Sequence, residues 1–281
     1  MKRAMVLAGG GVAGIAWEIG ILRGIQDIEP EVYSSLVAAD VILGTSAGAA
    51  VAAQITGRTP LGDLYDAQLS ETTSELEVDV DLQSLMARFG QAAAGATTPA
   101  ETRRRIGALA LATPTVDEAA RRAAIAARLP VHAWPDQALL IPAVDAQTGE
   151  LVIFTRASGV ALVDVVAASC AVPGVWPPVS IGGHRYIDGG MRSGTNADLA
   201  TGCDRVLVIT PSLADAPQPS GSLEDEIELL KPAEVRVVYA DAASLEAFGS
   251  NPLSPASRGP SARAGRTVGK AHAAELAAFW S

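Results

Sequence analysis

A serine between two glycines is the residue with the clearest chemical potential in this sequence. Residues 44–48 read G-T-S-A-G, a G-x-S-x-G pattern that directly follows the apolar run 41–43. At a sharp strand-to-helix turn the serine backbone is strained, and side chains two residues before and after it would collide. Gly44 and Gly48 remove that collision, and the helix start offers N–H groups to a developing anion. The pattern predicts Ser46 as a nucleophile, although a tight turn of small residues would look the same.

A second glycine-rich segment, residues 9–14, follows the apolar run 4–8 and precedes a helical pattern. Its sequence, G-G-G-V-A-G, fits the G-x-G-x-x-G fingerprint of dinucleotide-binding proteins. That fingerprint also needs an acidic residue at the end of the second strand, and residues 43–46 contain none. The alternative, which we favour, is a loop whose N–H groups bind a substrate oxyanion next to Ser46. The loop glycines are Gly9, Gly10, Gly11 and Gly14.

Asp188 is the leading candidate for the general base that such a serine needs. It opens an Asp-Gly-Gly sequence with Gly189 and Gly190 after an apparent strand, although Asp-Gly is also among the commonest turn dipeptides. None of the three histidines has a sequence context that marks it as a catalytic base. A Ser–Asp dyad is therefore easier to build from this chain than a triad. The histidines are His132, between two prolines, His184, at a predicted hairpin tip, and His272, in a predicted C-terminal helix.

These segments together resemble the patatin-like phospholipases, hydrolases that use a Ser–Asp dyad without a histidine. The resemblance includes residues 168–178, A-S-C-A-V-P-G-V-W-P-P, which are similar to the family's Ala-Ser-x-Ala-x-Pro-x-x-Phe-x-Pro segment with Trp176 at the aromatic position. The order and gaps of the four motifs also match, so the resemblance covers about residues 4–210. A four-part match of this kind is far more specific than any single glycine pattern.

The resemblance implies a two-step acyl transfer on a phospholipid or another lipid ester. Ser46 would be the nucleophile, Asp188 its base, and the backbone N–H groups of Gly10 and Gly11 the oxyanion donors, with no metal or organic cofactor. Two hypotheses from other classes remain open. One is a non-catalytic lipid-binding or regulatory protein on the same fold, and the less favoured one is a dinucleotide-binding oxidoreductase.

The chain departs from the family pattern at two positions. The family often has Arg or Lys immediately before the last glycine of its loop, where this chain has Ala13. An asparagine–proline pair commonly follows the Asp-Gly-Gly turn, whereas here Asn196 is followed by Ala197. The first departure concerns recognition of an anionic headgroup more than it concerns the dyad.

Composition limits the classes of partner. The 281 residues can bury a full core, and 49% of them are hydrophobic. The net charge of −10 argues against sequence-independent binding of nucleic acid.

The cysteines and the apolar runs bear on the cellular setting. Cys170 and Cys203 have no metal-type spacing and fit a reduced, cytoplasmic setting. Residues 2–17 mimic a signal peptide, but three consecutive glycines would weaken its apolar helix. With no apolar run of 18 residues, we expect any membrane contact to be peripheral.

The fold that these patterns predict is a single three-layer α/β/α domain over residues 1–281, patatin-like, with a mainly parallel central sheet and a helical insertion. Two strand–turn–helix units open the chain, residues 4–27 and 41–55. Residues from about 59 to 135 look like the helical insertion, which acts either as a lid or as plain scaffold. Further strands are predicted at residues 139–144, 151–155, 179–181, 185–187, 205–210 and 235–239, and further helices at 161–171 and 223–230.

The C-terminal part, from about residue 251 to 281, reads as a proline- and serine-rich linker followed by a closing helix at about 261–280. Four basic residues recur in it at about one helical turn, which predicts either a face for anionic headgroups or an ordinary solvated face. These residues are Arg258, Arg263, Arg266 and Lys270.

Overall fold

The structure, a computed structural model, describes residues 1–216 and 221–280. In this part of the chain a sheet of eight strands is flanked by eleven helices, apart from short 3-10 turns. The strands are β1 (Arg3–Leu7), β2 (Val41–Gly44), β3 (Ala138–Asp145), β4 (Leu151–Phe154), β5 (Val179–Ile181), β6 (His184–Asp188), β7 (Arg205–Thr210) and β8 (Glu234–Tyr239). The helices are α1 (Gly11–Ile28), α2 (Pro30–Val37), α3 (Ala47–Thr56), α4 (Leu61–Leu69), α5 (Leu82–Ala93), α6 (Pro99–Ala112), α7 (Glu118–Arg128), α8 (Leu162–Ser169), α9 (Leu223–Leu230), α10 (Ala242–Phe248) and α11 (Arg258–Trp280).

Strand order places the candidate motifs at one end of the sheet. β3, β2, β1, β7 and β8 are parallel neighbours in that order. Because parallel strands end at the same edge, the turns that follow β1 and β2 lie side by side. The other strands are antiparallel: β4 and β6 pair with β3, and β5 pairs with β6. The β3–β6 register sets Asp188 opposite Ala143, which brings the Asp-Gly-Gly turn to the same region.

The sheet is the middle layer of three. Met5 and Leu7 of β1 belong to the apolar cluster on one face, while Ala4 and Val6 belong to the cluster on the other face. Successive side chains of a strand point to opposite faces, so an entirely apolar strand requires cover on both. The predicted class, an α/β fold with a mostly parallel central sheet flanked by helices, is therefore confirmed, and all the predicted strands are present within two residues of their expected bounds.

The crossing of α1 and α11 depends on small residues. A Cβ atom on Gly20 would lie 2.2 Å from the Ala262 carbonyl oxygen, and one on Gly265 would lie 2.1 Å from the Trp17 carbonyl oxygen. Both distances are far below van der Waals contact, so only glycine allows the two backbones to approach this closely. The C-terminal helix is thus packed on the first helix, which itself begins in the glycine-rich loop.

Helix starts differ from the sequence predictions at three places. The apolar spacing predicts a helix start at Ile15, but α1 begins at Gly11, because its first turn is held by packing and by a hydrogen bond from the Ala13 N–H to the Pro252 carbonyl at 2.9 Å. Residues 115–118, T-V-D-E, predict a capping box opened by Thr115, but the Asp117 carboxylate caps α7. The pairs Thr59-Pro60 and Thr98-Pro99 each predict a capped helix start; Thr98 caps α6, whereas no side chain caps α4. Acidic and hydroxyl side chains compete for the same orphan N–H groups, and local geometry decides between them.

Residues 59–135 contain four helices, α4 to α7, and no strand. They are anchored to different degrees. Leu61 and Leu64 of α4 and Ile125 of α7 belong to the main core cluster. In α5 only Leu85 and Phe89 are buried, and they pack in a small separate cluster.

Three of the four basic residues near the C-terminus have acceptors within this chain. Arg258 is buried and donates hydrogen bonds to the α4 region, including the Ala67 carbonyl. Arg266 and Lys270 both pair with Asp27, at 2.6 and 3.3 Å. Arg258 therefore does not belong to a solvated basic face, and the charges of Arg266 and Lys270 meet an acceptor of this chain at its surface; Arg263 is exposed.

Candidate active site

Ser46 lies between β2 and α3 in a strained backbone conformation, with φ 53° and ψ −112°. Positive φ is sterically costly for a residue with a side chain, and it is typical of nucleophile elbows. The two flanking glycines make the turn possible. A Cβ on Gly44 would lie 2.4 Å from the Gly48 carbonyl oxygen, and one on Gly48 would lie 2.1 Å from the Leu7 carbonyl oxygen. The serine is thus displayed on a turn that no larger residues at positions 44 and 48 could form.

The Ser46 hydroxyl donates a hydrogen bond of 2.7 Å to Oδ2 of Asp188. The other carboxylate oxygen, Oδ1, accepts the Gly190 N–H at 2.7 Å, which fixes the plane of the carboxylate. Both side chains are buried, since Ser46 is 7% exposed and Asp188 3% exposed. Two residues 142 positions apart in sequence thus form a direct donor–acceptor pair.

Burial raises the pKa of Asp188 from 3.8 to about 7, against the opposing effects of the Ser46 hydroxyl, the Gly190 N–H and the charge of Arg121. A carboxylate with an ordinary pKa is a weak proton acceptor at neutral pH. A pKa near the working pH combines a useful fraction of the ionised form with a greater driving force for accepting a proton. The apolar surroundings therefore give Asp188 a basicity close to that of a histidine.

The elbow and the Asp-Gly-Gly turn are held together by Asn196, which is fully buried and has φ 51°. Its amide nitrogen donates to the Thr45 hydroxyl at 3.1 Å and to the Gly189 carbonyl at 3.3 Å. One side chain therefore contacts the residue before the serine and the residue after the aspartate. The absence of proline at Ala197 does not disturb these contacts.

The glycine-rich loop lies against the serine, and its four glycines have different roles. A Cβ on Gly9 would lie 3.5 Å from the Ser46 Cβ. The Gly9 N–H donates to the Gly194 carbonyl at 2.8 Å, and the Gly14 N–H donates to the Gly10 carbonyl at 2.9 Å. These two N–H groups are therefore committed within the protein, so of the four loop glycines only Gly10 and Gly11 stay candidates for oxyanion donors. In the described ranges, the N–H groups of Gly10 and Gly11 have no acceptor within hydrogen-bonding distance.

A further N–H group at the site, that of Ala47, was not singled out from the sequence. Ala47 is the first residue of α3 and lines the same cavity as Ser46. Its N–H likewise has no acceptor among residues 1–216 and 221–280. The first N–H groups of a helix lack intrahelical partners, and the residue after a nucleophile commonly donates to the oxyanion. The general signal was present in the G-x-S-x-G pattern itself.

The cavity beside Ser46 is small, about 20 Å³, which is room for about one water molecule. Its wall combines residues from five separate parts of the chain. Sequence reasoning missed Arg121, Arg128 and Leu253 as members, because α7 and the segment after α10 carry no motif that points to the serine. The lining residues are Gly11, Val12, Ile15, Ser46, Ala47, Arg121, Arg128, Cys170, Val172, Trp176 and Leu253.

The histidines make contacts elsewhere. His132 hydrogen-bonds the Ala126 carbonyl at 2.9 Å, and His184 hydrogen-bonds Asp145 at 2.7 Å. His272 lies 3.4 Å from a carboxylate oxygen in its own helix. Across the described residues, none of the three lines the cavity, no group of three or more His, Cys, Asp or Glu side chains could hold a metal ion, and no helix is long and apolar enough to cross a membrane.

One family model matches more than half of this chain. Residues 5–201 match the family model described as patatin-like phospholipase. Among solved structures, VipD from Legionella pneumophila is 13% identical, with a TM-score of 0.40, over 88% of this chain and 53% of that chain. The type III effector protein ExoU is 18% identical, with a TM-score of 0.45, over 98% of this chain and 53% of that chain. The chain thus spans about half the length of each. No curated protein matches it.

Proposed function

Because its residues 5–201 match the family's model, this chain belongs to the patatin-like phospholipase family, and from that premise we propose that it is a serine acyl hydrolase that cleaves carboxylic esters of lipids. The observation that carries the proposal is the 2.7 Å hydrogen bond from the Ser46 hydroxyl to Asp188, on a strained turn in a buried site. A serine hydroxyl that merely caps a turn needs neither a buried carboxylate nor positive φ.

The proposed reaction has two steps. Asp188 accepts the proton of Ser46 as its oxygen attacks the ester carbonyl, and the collapse of the tetrahedral intermediate expels the alcohol, which takes that proton. Water then attacks the acyl-enzyme, with Asp188 again as the base, and releases the carboxylic acid and free Ser46. The free N–H groups of Gly10, Gly11 and Ala47 are the proposed oxyanion donors. Loss of one such donor costs about 10²–10³ in rate.

Substrate access requires movement. Ser46 is 7% exposed, and the cavity beside it is far smaller than an acyl chain. We assign the moving part to α5, because it is the least anchored of the four helices between residues 59 and 135. Its buried residues, Leu85 and Phe89, pack with Val172, which lines the cavity. Within the predicted lid, α5 would thus move while α4 and α7 act as scaffold.

The test is hydrolysis of p-nitrophenyl esters of graded chain length. We expect Ser46→Ala and Asp188→Asn each to reduce kcat by about 10⁴–10⁶, the range found when single triad residues are removed from other serine hydrolases. Ser180→Ala, on the exposed β5–β6 hairpin, is the control for the effect of losing a hydroxyl. A fluorophosphonate probe should add its mass to the peptide that contains Ser46.

Two results would contradict the proposal. Hydrolysis that survives Ser46→Ala would rule out the serine as the nucleophile. A folded native protein that neither turns over esters nor reacts with the probe would favour the non-catalytic lipid-binding alternative. Cofactor absorbance retained through purification would favour the dinucleotide alternative.

A further inference from the structure

Arg121 is a buried cation with unpaired hydrogen-bond donors. It projects from α7 and is 5% exposed. Its Nε and Nη1 atoms are inaccessible to solvent and have no hydrogen-bond partner in the described part of the chain. A guanidinium carries five N–H donors, and burial without acceptors is destabilising. Arg121 lines the same small cavity as Ser46, so this buried side chain is part of the wall beside the proposed nucleophile.

The second arginine that lines the cavity, Arg128, forms an ion pair inside the protein and so provides a comparison. Arg128 donates to both carboxylate oxygens of Glu75, from Nε at 2.7 Å and from Nη2 at 2.5 Å. Arg121 forms no such ion pair with any described residue. No carboxylate is among the residues that line the cavity. The charges of Glu75 and Asp188 act on Arg121 from nearby, but neither carboxylate hydrogen-bonds to it.

Trp176 fixes the position of the free arginine. The Arg121 guanidinium carbon lies 3.7 Å from the centroid of the Trp176 ring. Stacking on an aromatic face holds the guanidinium plane while its edges stay available for acceptors. Burial lowers the pKa of Arg121 to about 10, so the side chain is still a cation at neutral pH. The cavity therefore presents a pre-oriented positive charge.

We propose that Arg121 is a specificity-determining residue that binds the phosphate oxyanion of the substrate beside the scissile ester. The proposal rests on the proposed function, because it names the substrate group that the Ser46 site reads. Arg121 and Ser46 line the same cavity, so we expect an anion bound by Arg121 to lie within a few bonds of the reacting carbonyl. A glycerophospholipid has its phosphate at that separation.

The first experiment compares two substrates that differ only in the phosphate, 1,2-dihexanoylglycerol 3-phosphate and 1,2-dihexanoylglycerol. The measured quantity is the ratio of their kcat/KM values at pH 8.5, where Asp188 is ionised and Arg121 charged. We expect Arg121→Gln to lower this ratio about 10- to 100-fold, as loss of charge-assisted hydrogen bonds does. Arg121→Lys, which keeps the charge, should restore part of it.

A matched control is Arg122→Gln on the same helix. Arg122 is half exposed and pairs with Asp164 away from the cavity, so this variant should keep the native ratio. An unchanged ratio in Arg121→Gln would overturn the proposal. Equal losses of kcat/KM on both substrates would also overturn the proposal. They would show that Arg121 stabilises the oxyanion or positions Asp188 and does not bind the phosphate.

The second experiment measures binding without catalysis, in Ser46→Ala protein titrated with octyl phosphate, octanol and inorganic phosphate by calorimetry. We expect octyl phosphate to bind most tightly, and the added Arg121→Gln change to weaken it at least about tenfold. Inorganic phosphate binding as tightly as octyl phosphate would assign the site to free phosphate and overturn the headgroup assignment. Because binding is measured without turnover, this experiment tests the Arg121 assignment even if the protein does not hydrolyse esters. The two proposals can therefore fail independently.

Discussion

The backbone N–H of Ser46 donates a hydrogen bond of 3.0 Å to the side-chain oxygen of Ser169. The Ser169 hydroxyl in turn donates to the Pro142 carbonyl at 2.7 Å. Ser169 is fully buried at the end of α8, and Pro142 belongs to β3. The Ser169 hydroxyl therefore connects the strained turn at Ser46 to the central sheet, while Asn196 connects that turn to the one that carries Asp188.

Ser169→Ala should lower both stability and activity. The Ser46 N–H and the Pro142 carbonyl would each lose a buried partner, which costs about 1–3 kcal/mol in the free energy of unfolding. A loosened elbow misplaces the hydroxyl, so we expect kcat to fall about 10–100-fold. The matched control is Ser244→Ala on α10, a fully buried serine that also accepts one hydrogen bond and donates another. Equal kcat in the two variants would show that Ser169 does not position the nucleophile.

The pH dependence of kcat/KM should follow Asp188. Burial raises its pKa to about 7, and the base acts only when deprotonated. Activity should therefore rise with slope one below pH 7 and reach a plateau above it, which kcat/KM reports for the free enzyme. p-Nitrophenol release is best followed at its isosbestic wavelength, because the product titrates in the same range. A limb centred near pH 4, or a flat profile from pH 5 to 9, would contradict the assignment.

Leu85→Ala tests α5 as the moving element. Truncation removes one of the two buried anchors of this helix and favours the open state. We expect the rate on decanoate relative to acetate esters to rise about threefold or more, since the long chain needs a wider opening than the acetyl group does. A gain of that size corresponds to about 0.7 kcal/mol, a modest part of the packing energy lost. Ile106→Ala on α6, in the same small cluster, is the control for packing loss. A proportional change on both esters would indicate a scaffold role.

The Glu75–Arg128 pair should be important for stability. The two side chains are 10% and 5% exposed. Glu75→Leu leaves the Arg128 cation buried without its partner, and breaking a buried pair in this way costs about 3–5 kcal/mol. Glu75→Leu combined with Arg128→Leu should be clearly more stable than Glu75→Leu alone in urea unfolding. Additive losses would mean that the two charges do not stabilise each other. Asp136→Ala, which breaks the exposed pair with Arg156, should change little.

Glu18 should make stability depend on pH. Its side chain is 0% exposed, and neither carboxylate oxygen meets hydrogen-bonding geometry with a described residue. Burial raises its pKa well above 4.5, against a smaller opposing effect of the Ala8 backbone amide. The folded protein thus retains a proton that the unfolded chain releases above about pH 4.5. The free energy of unfolding therefore falls as the pH rises from 4.5 to the raised pKa of the folded state.

Glu18→Gln replaces the titrating carboxyl group with a neutral amide of nearly the same volume. Its gain in melting temperature over the native protein should therefore be larger at pH 8 than at pH 5. Glu31→Gln, at an exposed position, is the control. A gain that is the same at both pH values would show that Glu18 is not protonated on folding.

The sequence determined the fold class and which residues are chemically special. Apolar runs that end in glycines predict buried parallel strands, because a strand covered on both faces has no polar side chains. The G-x-S-x-G pattern singled out Ser46 because steric overlap admits only glycine at its flanks. The Asp-Gly-Gly motif by itself predicts only a turn, and its interpretation as a base depended on the other motifs. The β3–β6 register brings Asp188 within 2.7 Å of the serine.

Only the tertiary structure decided the environment of the dyad. No single segment of the sequence specifies its long-range hydrogen bonds or its burial, so the sequence did not reveal that the Gly9 N–H is committed to the Gly194 carbonyl. The same holds for the pKa of Asp188, which depends on apolar atoms contributed by distant elements. Arg121 and Trp176 lie 55 residues apart, and their contact across the cavity arises from where α7 packs. A side chain's chemistry is local, whereas the space into which it points is set by the whole chain.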